Sequence, residues 1–142
     1  ITCRDWSSDV CSSDLREILA IARSLMALRV RDTLCALAVG ALAADVERLW
    51  VALSRLLPPP WRAEALVLLG FSAYVRGDGP LAGVALDAAL MAQADHRLGR
   101  LLMSALLSGM RPDEIGTLAD TGYRIAHELG ISLPPRQIRR AG

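Results

Sequence analysis

Residues 61–94 read WRAEALVLLGFSAYVRGDGPLAGVALDAALMAQA, and this stretch decides the fold class. Trp61 to Val75 is apolar and rich in residues that helices tolerate well. Gly77-Asp78-Gly79-Pro80 then interrupts the run, because glycine frees the backbone while proline fixes φ and lacks an amide donor. A second helix is expected from Leu81 to Ala94, folded back on the first as a hairpin. Gly70 and Ala82 are small enough for the helices to approach closely, and Leu69 and Leu86 can fill the space between them.

The same pattern continues outward in both directions. Upstream, helices are expected from about Arg16 to Leu28, from near Asp32 to about Gly40, and through Val46 to Leu57. The third ends at Pro58-Pro59-Pro60, where no helix can propagate. Downstream, one helix is expected from about His96 to Leu107, with Gly109 as its cap. Another opens at Pro112-Asp113-Glu114 and stops at Gly130. No alternating β-rich run is present. The expectation is an all-α protein of helical hairpins, about six or seven helices in total.

Composition agrees with that reading. The chain has 142 residues, of which 53% are hydrophobic, enough for one domain with a real core and too apolar for a disordered chain. All 16 basic residues are Arg, and Lys and Asn do not occur, a bias suited to a GC-rich gene. A formal charge of +1 is no signature of a nucleic-acid binder. The longest uncharged run, Thr33 to Ala44, falls short of the ~18 residues a spanning helix needs. No membrane association is expected, and the cytoplasm is the expected compartment.

The N-terminal stretch stands apart. Asp5 to Leu15, DWSSDVCSSDL, is similar to the translation of a sequencing-library adapter, and residues 1–15 are therefore set aside as non-native. Setting them aside removes Cys3 and Cys11, leaves Cys35 as the one thiol, and raises the formal charge to +3. The expected organisation is then a single helical domain over 16–130, the C-terminal fragment of a longer protein, followed by a basic tail over 131–142.

Two family resemblances add to this. Leu66 to Ala94 resembles one tetratricopeptide unit, with Leu69-Gly70, Ala82, Leu86 and Ala89 at matching positions. Leu66, Ala73 and Ala94 depart from that pattern, standing where Trp, Tyr and Pro are usual. A second resemblance spans about Val30 to Pro112. It is carried by Arg29-Val-Arg-Asp32, Leu49-Trp50, Pro60-Trp-Arg62, Tyr74 to Leu90, His96, Leu101-Leu102 and Ala105 to Gly109. These residues look like the C-terminal part of an actinobacterial family of uncharacterised proteins, the domain of unknown function four-one-nine-two. The resemblance implies an α/β portion upstream of the helices and brings no catalytic residues.

Candidate chemistry is sparse. His96 and His127 are the only imidazoles, and neither has a His, Cys or Glu four residues on to form a ligand pair. Asp95-His96 reads as a helix cap, and Cys35, among Leu34, Ala36 and Leu37, as a small buried hydrophobe. Asp78 belongs to a turn rather than a phosphate loop, which would need wider glycine spacing and a Lys. Arg31-Asp32 reads as a buried ion pair or as a helix start. Trp50 and Trp61 flank the proline triplet, either as a partner-binding surface or as a lid on the core. Tyr123 to Ser132 resembles the first helix and turn of a helix-turn-helix, whose second helix would have to run through Pro134-Pro135. Arg136, Arg139 and Arg140 are the phosphate contacts that reading would use. No catalytic, cofactor or metal site is assigned. The expected role is protein interaction or structural support, with another protein as partner. The alternatives are an appendage to an upstream enzyme and a DNA-binding C-terminus.

Overall fold

The computed structural model describes residues 8–137, with side chains from residue 14 onward. Among the described residues the order is α1 (Ser8–Leu25), α2 (Leu28–Cys35), a 3-10 turn (Ala36–Val39), α3 (Ala43–Leu56), α4 (Trp61–Arg76), α5 (Gly79–Ala92), α6 (Arg97–Leu107), α7 (Pro112–Gly116) and α8 (Leu118–Glu128). The fold is all-α, as expected.

Helix α4 is the axis of the molecule. Every residue from Ala63 to Tyr74 is buried, and α1, α2, α3, α5, α6 and α7 all pack against it. An evenly apolar sequence is what a helix enclosed on all sides requires. The hairpin turn joins α4 to α5 tightly. Gly77, with φ +88°, takes the left-handed cap, and the Asp78 amide donates to the Ala73 carbonyl at 2.9 Å. The Asp78 carboxylate then accepts from the Leu81 amide at 3.0 Å, capping α5. Asp78 is thus a structural turn residue. At the crossing, a Cβ on Gly70 would stand 2.8 Å from Leu86, so the close approach expected of Gly70 is real.

Several boundaries differ from expectation. Helix α1 begins at Ser8 rather than Arg16, and α2 begins at Leu28, four residues before Asp32. The helix expected over Pro112 to Leu129 is two helices divided at Thr117. Residues 131–137 are not a free tail. The Tyr123 hydroxyl donates to the Pro134 carbonyl at 2.9 Å, and the Gln137 amide donates to the Val39 carbonyl at 2.8 Å. Gly40 and Arg136 form an isolated antiparallel bridge. The segment is held by backbone bonds to the 3-10 turn, a partnership that helical periodicity cannot reveal.

Candidate functional site

Two places gather polar side chains. The first is buried. Glu64, the single charge between Arg62 and Arg76, projects from α4 beneath the surface. His96 Nε2 lies 3.1 Å from Glu64 Oε1, out of line for a hydrogen bond, and Arg31 Nη1 lies 3.8 Å from Oε2. Arg31 also holds Asp32 at 2.9 Å, a half-buried ion pair inside α2, which starts at Leu28 and not at Asp32. His96 Nδ1 accepts from the Gly99 amide at 3.0 Å, so His96, not Asp95, caps α6. A ring nitrogen that accepts carries no proton, which leaves the hydrogen on Nε2, facing Glu64. The cluster knits α2, α4 and the start of α6 together.

Cys35 lies beside this cluster. Burial, reinforced by Asp32, pushes its thiol up to about 12 from an ordinary 9.0, which keeps it protonated and non-nucleophilic. The sign has a thermodynamic consequence. The unfolded thiol ionises first, so the stabilising contribution is complete below pH 9.0 and is lost as pH rises toward about 12. The melting temperature of the wild-type chain should fall more steeply across that window than that of Cys35→Ala. Calorimetry at a series of pH values checks it, and parallel slopes would refute the burial of this thiol.

The second place is a half-open cleft of about 1030 Å³, walled by the 3-10 turn, α3, α4, α7 and the C-terminal segment. Its floor is Ala38, Val39, Gly40, Ala41, Ala43 and Ala44. Glu47, Arg48, Arg76, Asp113, Arg136 and Gln137 supply polar groups around it, and Ser72 lies in the α4 wall. Glu47 accepts from Arg76 through both oxygens, at 3.0 and 3.1 Å, and Asp78 accepts from the same arginine at 3.1 Å. Size, an apolar floor and a few polar groups are the usual attributes of a binding cleft.

The residues singled out in the sequence fall elsewhere or at its edge. Trp50 is 2% exposed and belongs to the core. Trp61 is half-buried against the same core. Arg136 lines the cleft and pairs with Asp120, whereas Arg139 and Arg140 lie outside the described residues. No helix follows α8 within residues 131–137, so the second element of a helix-turn-helix is missing there. Pro134-Pro135 explains this, since proline cannot donate within a helix. His127 is exposed in the last turn of α8. Glu64 and Ser72 were not singled out. Glu64 had a signal, a lone charge in an apolar run; Ser72 had none, because serine is unremarkable on any helix.

Among the described residues, no group of three or more His, Cys, Asp or Glu is placed to hold a metal ion, and no helix is long and apolar enough to cross a membrane. Comparison with curated proteins and with solved structures finds no match. Residues 3–113 match the family described as Domain of unknown function (DUF4192). That span is most of the chain and takes in helices α1 to α6, including the central hairpin and the buried Glu64–His96 pair. The chain therefore belongs to the DUF4192 family.

Proposed function

We propose that this domain is a protein-interaction module that docks another polypeptide on its outer helical surface. One observation carries the reading. Helix α5, GPLAGVALDAALMA, holds a single charged residue, Asp87, and is apolar on nearly every face. Ala82, Ala85, Leu86 and Ala89 are buried, yet Val84 is 69% exposed and Met91 83%. Their spacing of seven puts both on one face, two turns apart. A helix apolar all round is normally enclosed on all sides, as α4 is. Covering the outer face of α5 with a partner's apolar side chains would be driven by ~25 cal/mol per Å² removed from water.

The test is a photo-crosslinking amino acid at Met91 in the cells from which the gene comes. A discrete adduct of defined mass is expected, lost when Val84→Asp is added. The same probe at exposed Arg124 should give none. Absence of any discrete adduct at Met91 would overturn the reading. DNA binding has no comparable support, because Arg136 is engaged by Asp120.

A further inference from the structure

One group in the wall of the cleft has no structural explanation. Ser72 is 4% exposed, lines the cleft, and its hydroxyl has no hydrogen-bond partner. A buried hydroxyl left unpaired is costly, and helical serines ordinarily bond back to a carbonyl in the preceding turn, as Ser24 does to Ala20. Ser72 forgoes that bond beside an open space.

A second feature of the same cleft is independent of Ser72. Helix α3 begins at Ala43 with no side-chain cap, and Ala43 and Ala44 line the cleft. The Ala43 amide donates to the Gly40 carbonyl and the Val46 amide to the Leu42 carbonyl. The two amides between them, of Ala44 and Asp45, stand in the turn where a helix has no acceptors of its own. The dipole of this 14-residue helix places partial positive charge at that end. The acids nearby are already engaged: Glu47 by Arg76, Asp45 by Arg48, and Asp120 by Arg136. Asp113 stands at the rim, highly exposed and 3.9 Å from Arg111.

We propose that this cleft binds a small ligand bearing an oxyanion, a carboxylate or a phosphate, on a short apolar body. The oxyanion accepts from the Ser72 hydroxyl and the first-turn amides of α3, and the body lies on the alanine floor. No covalent step is involved.

The experiment is a titration of the 15N-labelled 142-residue chain, followed by amide shifts, with hexanoate, hexanol and inorganic phosphate. Saturable shifts at Ala43, Ala44 and Ser72 are expected with hexanoate and not with hexanol. If phosphate alone matches hexanoate, the oxyanion site stands and phosphate is its natural source; if hexanoate is the tighter, the source is an acyl carboxylate. Ser72→Ala should weaken hexanoate about threefold or more, the worth of one hydrogen bond. Its melting temperature should be unchanged or higher, a pairing that misfolding does not produce. Absence of saturable shifts with both anions, an equal response to hexanol, or unaltered affinity in Ser72→Ala would overturn the site. None of these outcomes bears on the α5 face, which is probed at Met91.

Discussion

Replacing Gly122 with alanine is expected to cost about 3 kcal/mol, the upper range for overpacking a closed core. A Cβ at Gly122 would collide with the Asp32 carbonyl oxygen, and would also stand 3.0 Å from the Ala36 Cβ and 3.1 Å from the Ala36 amide nitrogen. These obstacles are backbone atoms and a Cβ, with no rotamer to swing aside. Helix α8 must therefore move off α2, and the contacts of buried Ala119, Ile125 and Ala126 are strained with it. Gly83→Ala is the control. Its new Cβ would stand 3.6 Å from Leu106, an ordinary contact, and helix propensity favours the change by up to ~1 kcal/mol. Thermal unfolding followed by circular dichroism compares the two. A Gly122→Ala chain as stable as Gly83→Ala would mean that α8 does not lie on α2 as described.

The second large effect lies at Glu64. Removing its carboxylate in Glu64→Ala is expected to cost about 2–3 kcal/mol, because Arg31 loses its deeper counter-charge at 3.8 Å and keeps only Asp32. Breaking one side of such a pair is worse than replacing both with apolar groups. Glu64→Leu combined with Arg31→Met should accordingly recover much of the loss. Urea unfolding of the two variants, with slopes compared to confirm two-state behaviour, supplies the numbers. A single variant within about 1 kcal/mol of wild type would show the carboxylate to be solvated, since surface pairs contribute no more than that.

Glu64 also marks where sequence reasoning reached its limit. Its isolation between Ala63 and Ala65 showed that a charge sits in an apolar helix, but not whether it pointed outward. Its partners come from residues 31 and 96, more than thirty positions away on either side, and helical periodicity carries no information at that range. The two tryptophans make the same point. Trp50 and Trp61 both flank the proline triplet, yet one is enclosed and the other half-buried. That difference is set by how α3 crosses α4, not by local composition.

Where a residue acts on its own neighbours, the reading from sequence was sound. Gly77, Gly109 and Gly130 all take positive φ at or just after helix ends, and the proline triplet follows α3. Helical caps and turns involve residues a few positions apart, so spacing is enough to find them. The subdivision at Thr117 escaped because the glycine before it, Gly116, takes no positive φ and a lone glycine is tolerated within a helix; the Thr117 hydroxyl donates back to the Glu114 carbonyl. The C-terminal segment escaped for another reason: its bonds go to Val39 and to Tyr123, and no local signal announces them.

The sequence by itself determined that the fold is all-α, where most of its helices start and stop, and that small residues at Gly70 and Ala82 let the two helices of the hairpin approach closely. These are consequences of backbone sterics and of side-chain volume at short range. Only the tertiary structure decided that Glu64, His96 and Arg31 share one buried cluster, and that Ser72 and the uncapped end of α3 open on one cleft. Those juxtapositions depend on how rigid helices cross, and crossing is governed by the summed fit of many side chains distant in sequence.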